Sequence, residues 1–158
     1  MKKIRISVLA VVIAFLTLSF SSLQAQEFEE LNRDSITCLV KRYYDLNKKI
    51  FARNSTVDDI DNVFNLFTDD FTYVHPKYGG TYTRETLYSG YVRNQENGGY
   101  DGKVVDVKII NMIVGLNAIA VEKKFVEKTK NGLLEEGQPE MTLFEFRSNK
   151  IARIFEYW

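Results

Sequence analysis

The chain has 158 residues, 45% of them hydrophobic and 27% charged, with 21 basic side chains against 21 acidic ones. Nothing in that even balance suggests a nucleic-acid partner, which favours a clustered basic surface. A single histidine and a single cysteine leave no zinc constellation and no intrachain disulfide.

Residues 1–25 have the layout of a cleaved secretory signal peptide. Lys2, Lys3 and Arg5 open it, Val8 to Phe20 is almost wholly apolar, and Ser21 to Ala25 forms a more polar exit. The apolar run is short for a membrane span, which needs about 20 such residues. Cleavage after Ala25 makes residues 26–158 an exported domain, periplasmic or secreted, with no membrane contact. No repeat or linker divides that region, so a single domain is expected.

The mature chain begins with helical periodicity. Ile36, Leu39, Val40, Tyr43, Leu46 and Ile50 recur at three- and four-residue intervals, predicting a helix from about Leu31 to Ala52 with one buried face. Cys38 is read onto that apolar stripe as a small core residue. Thr56 caps a second helix, with Asp58 and Asp59 near its positive end and Val57, Ile60, Val63, Phe64 and Phe67 inward. Asp69 and Asp70 end it. Asp58, Asp59 and Asp61 lack the spacing of a calcium loop. A short strand, Phe71 to Val74, runs into His75-Pro76, and Gly79-Gly80 marks a turn. Thr83 then caps a third helix reaching about Asn94.

The second half reads as strands: Lys103–Val114, Ala118–Thr129, Leu133–Arg147 and Ile151–Trp158. Asn131-Gly132 and Ser148-Asn149-Lys150 are tight connections. Helices followed by such strands imply an α+β domain, with three helices on one face of a strongly curved antiparallel sheet.

Period-two alternation sorts the strand residues into rows. Thr142, Phe144 and Phe146 form the apolar face of their strand. Ile119, Val121, Lys123 and Phe125 share another, with Lys123 the one charge in it. Ile154, Glu156 and Trp158 share a third, which competes with Arg153, Phe155 and Tyr157 for the inward side. If the first three rows face inward, Lys123 and Glu156 are expected to pair, since a lone buried charge is costly.

The order of two helices, LFTDDFTYVHP, a helix, four long strands and the ending KIARIFEYW resembles the SnoaL-like branch of the nuclear-transport-factor-2-like superfamily. The resemblance covers about residues 31–158. It implies a cystatin-like cone, a bent sheet wrapped around three helices, with a pocket at the wide end. Homodimers formed through the sheet are common among such proteins. On the ketosteroid-isomerase-like pattern, His75 falls where those enzymes carry the catalytic carboxylate. Tyr43 falls at their oxyanion-binding tyrosine and Thr142 at their protonated acid. A threonine is the weaker oxyanion donor, so this set is incomplete for steroid-type isomerisation. Tyr44, about 100° around the helix from Tyr43, is expected to face elsewhere.

Three functions remain open at this point. The leading one is an exported domain whose pocket binds a small, largely apolar molecule, lined by Thr142, Phe144, Phe146, Val121, Lys123, Phe125, Glu156 and Trp158. The second is an isomerase, cyclase or hydratase working by proton transfer without a cofactor or metal. There His75 is the general base or acid and Tyr43 the polarising group. The third is a noncatalytic dimeric interaction module whose pocket is filled by its own side chains.

Overall fold

The computed structural model describes residues 31–158. The expected signal peptide and cleavage site lie outside the described residues. Helix α1, Arg33–Phe51, starts at Asn32, whose side-chain oxygen accepts the amides of Asp34 and Ser35 at 2.9 and 3.2 Å. It buries Ile36, Val40, Tyr43, Tyr44, Asn47 and Ile50. Tyr44 is thus inside as well, a correction to the sequence reading: both tyrosine rings pack edge-on against Phe144, so the buried arc is wide. Cys38 is exposed, not core. It stands two residues, about 200° of helix, from Ile36 and so on the opposite face.

Helix α2, Val57–Phe64, is held at its start by Asp59, which accepts the Thr56 amide and hydroxyl at 2.9 and 3.1 Å. It ends earlier than the periodicity suggests. Phe67 already belongs to strand β1, Phe67–His75, and Asp69 and Asp70 lie exposed within that strand. A 3-10 turn, Pro76–Tyr78, and two glycines with φ of 116° and 100° reverse the chain into β2, Gly80–Thr83. Helix α3, Arg84–Glu96, begins at Thr83, whose hydroxyl accepts the Thr86 amide at 3.2 Å.

The strands β3 (Val104–Val114), β4 (Ala118–Lys128), β5 (Leu134–Glu136), β6 (Glu140–Arg147) and β7 (Lys150–Glu156) follow. The single long strand expected over Leu133–Arg147 is two, interrupted at Gly137-Gln138-Pro139, and both halves pair with β4. Ser148 and Asn149, both at positive φ, close the β6–β7 hairpin.

The sheet runs β2-β1-β7-β6-β4-β3, with β5 beside β4, and is open and mixed. An all-antiparallel sheet was expected, but β7 pairs parallel with β1. A parallel pair needs a long crossover, here supplied by everything between β1 and β7. Register shifts interrupt β1–β7, β3–β4 and β6–β7, and such bulges sharpen bend and twist. The shift at Glu145/Phe146 also decides which β7 row faces in. Ile151 and Ile154 are both buried although three residues apart, and Glu156 then follows Ile154 by period two. The core is continuous from the α1 and α2 stripes to Ile119, Val121, Phe144, Phe146, Ile151 and Ile154. Among the described residues no helix is long and apolar enough to cross a membrane.

Candidate functional site

A cavity of about 220 Å³ lies between α1, α3 and the inner face of the sheet. Its walls carry Tyr43, Tyr44, Asn47 and Phe51 from α1, Tyr73 and His75 from β1, and Tyr78 from the 3-10 turn. Tyr91, Val107, Lys123, Phe125, Glu156 and Trp158 complete it.

His75 is the last residue of β1, opposite Gly80 of β2, and is only 3% exposed. Its ring stands 4.5 Å from the rings of both Tyr78 and Trp158, edge-on to the latter. Neither ring nitrogen has a hydrogen-bond partner among the described residues. Burial lowers the imidazole pKa from its ordinary 6.5; Lys77 and Lys123 push the same way, while Glu156 and Glu140 oppose them. At neutral pH the ring is therefore uncharged, with one nitrogen to donate and one to accept.

Charged groups stand beside it. Lys123 is 1% exposed, and its Nζ lies 2.9 Å from Glu140 Oε2 and 3.7 Å from Glu156 Oε2. The same ammonium sits over the rings of Phe125 and Trp158 at 4.6 and 4.9 Å from their centroids. Glu156 Oε2 accepts the Thr142 hydroxyl and the Trp158 indole N–H, each at 2.6 Å. Its Oε1 takes only a long contact of 3.5 Å from the Tyr73 hydroxyl. Burial, reinforced by Tyr91 and Tyr73, pushes the Tyr43 hydroxyl well above its ordinary pKa, so it remains a donor. Chemically, the site combines aromatic walls, an uncommitted imidazole and a carboxylate with one lightly used oxygen.

The expected site residues therefore divide. The fold brings His75, Tyr43, Lys123, Phe125, Glu156 and Trp158 to one cavity. Thr142, Val121, Phe144 and Phe146 do not line it, which corrects their reading as pocket walls. Thr142 lies wholly buried behind Glu156, and the other three belong to the core. Tyr43 and Tyr44 descend onto Phe144, and Phe146 stacks beside Phe144, so the space is already filled there. The expected pairing of Lys123 with Glu156 exists as the longer of two contacts; the nearer partner is Glu140.

Glu140, Asn47 and Tyr73 were within reach of sequence patterning. Glu140 continues the Thr142–Phe144 row by two residues, Asn47 lies one helical turn after Tyr43, and Tyr73 precedes His75 by two. Tyr91 has no such signal, because α3 is barely amphipathic and buries no residue completely. Among the described residues no group of three histidine, cysteine, aspartate or glutamate side chains gathers as a metal site.

No protein-family profile and no curated protein matches the sequence. Solved structures do match. A SnoaL-like protein of unknown function from Burkholderia thailandensis superposes with a TM-score of 0.57 at 11% identity, over 82% of this chain and 98% of that one. A nuclear-transport-factor-2-like protein of unknown function from Cytophaga hutchinsonii gives 0.53 at 11%, over 78% and 96%. A protein with a ketosteroid-isomerase-like fold from Catenulispora acidiphila, solved with trimethylamine, gives 0.50 at 19%, over 81% and 87%. At such identities the likeness carries architecture and not activity. The chain has the α+β cone fold that nuclear-transport-factor-2-like and SnoaL-like proteins share.

Proposed function

We propose that the protein is an exported binding domain whose cavity takes a small, largely apolar molecule carrying one polar group. The observation that carries this reading is His75, buried on the cavity wall with both ring nitrogens uncommitted. A buried polar group without a partner costs about 1–3 kcal/mol, and a bound ligand repays that cost. The surrounding tyrosine, phenylalanine and tryptophan rings supply apolar contact, and the few polar groups set orientation. At about 220 Å³ the cavity falls below the ~300–1,000 Å³ usual for drug-sized ligands, so the molecule seated in it is small. The remaining space disfavours a pocket filled by its own side chains. The reading includes a homodimer through the outer face of the sheet, where Ile113 and Met141 stand exposed.

A second reading, proton-transfer catalysis, is favoured by the lowered pKa of His75 beside the protonated hydroxyl of Tyr43. A neutral imidazole is ready to accept a proton near pH 7.

Trp158 is the only tryptophan in the chain and lines the cavity, so its fluorescence reports on occupancy. Phenol, a ring with one hydroxyl, is a suitable first probe. It is expected to change Trp158 emission saturably in the wild type and at least tenfold more weakly in His75→Phe. Equal binding by both proteins would remove His75 from the site, and no binding by the wild type would remove the pocket.

A further inference from the structure

A second concavity, about 950 Å³, lies between α3 and the 76–83 hairpin and meets the inner cavity at Phe51, Tyr78 and Tyr91, which line both. Helix α3 is tied down along one side. Tyr88 donates to Asp61 of α2 at 2.7 Å and packs edge-on to Phe64, and Arg84 donates to the Phe64 carbonyl at 3.2 Å. Its other side, Leu87, Gly90 and Tyr91, faces the groove, and none of these is fully buried.

Gly90 stands in mid-helix, where glycine costs about 0.5–1 kcal/mol relative to alanine. Packing does not require it, because a Cβ at Gly90 would meet nothing within 4 Å. The missing side chain leaves room in the groove instead.

The remaining lining says what kind of body the room suits. Tyr82 and Tyr100 add two more rings, while Thr86, Arg93, Asn94 and Asn97 bring hydroxyl, guanidinium and amide groups. Only Phe51 and Leu87 are purely apolar. An alkyl chain laid here would strip water from these polar groups without replacing its hydrogen bonds, which is unfavourable. A ring edged with hydroxyls satisfies both features. Its C–H faces lie against tyrosine rings while its hydroxyls exchange hydrogen bonds with asparagine, which both donates and accepts.

We propose that the two spaces hold one ligand: a small ring seated in the inner cavity, joined to a sugar-like, polyhydroxylated ring in the outer groove. This rests on the inner cavity being a ligand pocket. The ligand class is then a glycoside with a small apolar aglycone.

The test is calorimetric titration of the full exported domain with phenol, 4-hydroxyphenyl β-D-glucoside and the hexyl ether 4-hexyloxyphenol, each of which keeps the free hydroxyl that His75 meets. The glucoside is expected to bind at least tenfold more tightly than phenol. Gly90→Trp, which fills the groove, is expected to return the glucoside to the affinity of phenol, itself unchanged because it reaches only the inner cavity. Arg93→Ala, at an exposed position, should remove part of the same gain without threatening the fold. Phenol binding with no gain for the glucoside overturns the proposal while leaving the pocket intact. An equal or larger gain for the ether overturns it in favour of a lipid-like body. A gain that survives both substitutions places the sugar outside the groove and overturns it too. If neither phenol nor the glucoside binds, the pocket reading fails and this proposal falls with it.

Discussion

Thr142 and Glu156 face each other across the β6–β7 ladder, and the threonine hydroxyl donates to the carboxylate over 2.6 Å. Both are almost completely buried, so the bond fixes the carboxylate at the cavity wall in a low-dielectric setting. Thr142→Val keeps the shape and deletes the donor. Hydrogen bonds to charged groups contribute about 1.5–3 kcal/mol, and denaturant unfolding is expected to show a loss of that order. A loss below about 0.5 kcal/mol would mean that the carboxylate is held by Trp158 instead.

Lys123 has two carboxylates within reach, at 2.9 Å from Glu140 and 3.7 Å from Glu156. Removing one partner of a buried pair costs about 3–5 kcal/mol, and Lys123→Met should approach that range. Double-mutant cycles with Glu140→Gln and Glu156→Gln are expected to give a larger coupling for Glu140. Both should exceed about 0.5 kcal/mol, the level at which independent sites cease to add. The reverse order would make Glu156 the principal counter-ion.

His75→Phe keeps an aromatic ring against Tyr78 and Trp158 while removing two nitrogens without partners. It is therefore expected to stabilise the fold by about 1 kcal/mol while weakening ligand binding. A binding residue retained at the expense of stability gives this combination; a structural histidine would give a loss of stability instead.

The same residue makes stability pH-dependent. The folded-state pKa of His75 is lowered, mainly by burial, from an ordinary 6.5. As pH falls through 6.5 the unfolded chain takes up a proton before the folded one, so stability is lost on acidification and regained above 6.5. One group contributes at most about 1.4 kcal/mol per pH unit. The stability gap between His75→Phe and the wild type should widen as pH falls from 7 toward 5. A constant gap across that interval would show that the imidazole is not buried in solution.

On the outer face of the sheet Ile113 is 68% exposed and Met141 44%, and β4 links them through Ile113–Ala120 and Glu122–Met141 pairing. Half-buried Ala120 and exposed Glu122 lie between them, and exposed apolar patches on a sheet face mark association surfaces. Sedimentation of the wild type is expected to show a dimer and Ile113→Glu a monomer. A wild type already monomeric at micromolar concentration would dispose of the sheet-mediated dimer.

Much of the architecture is legible in the sequence alone, for reasons specific to particular residues. The α1 stripe runs at helical period, Thr56 and Thr83 sit where helices need oxygen at their first turn, and Ser148-Asn149 is a turn pair. These signals are local, so a linear reading finds them. The parallel β1–β7 pairing left no local trace, because strand direction is set by where the chain returns. Cys38 shows a different failure: a small residue beside a stripe looks apolar, and only its angle around the helix puts it outside.

The helices-then-strands order, the row containing Lys123 and the position of His75 at a strand end are all written in the order of residues along the chain. These follow from periodicity and turn chemistry, which act over a few residues. Folding, by contrast, sets the β6–β7 bulge that turns Glu156 inward and brings Glu140 to Lys123 first. Folding also places Phe144 and Phe146 in the core while Tyr73, Tyr91 and His75 surround open space. Which side chains meet depends on sheet curvature and register, and these are set by packing across the whole domain.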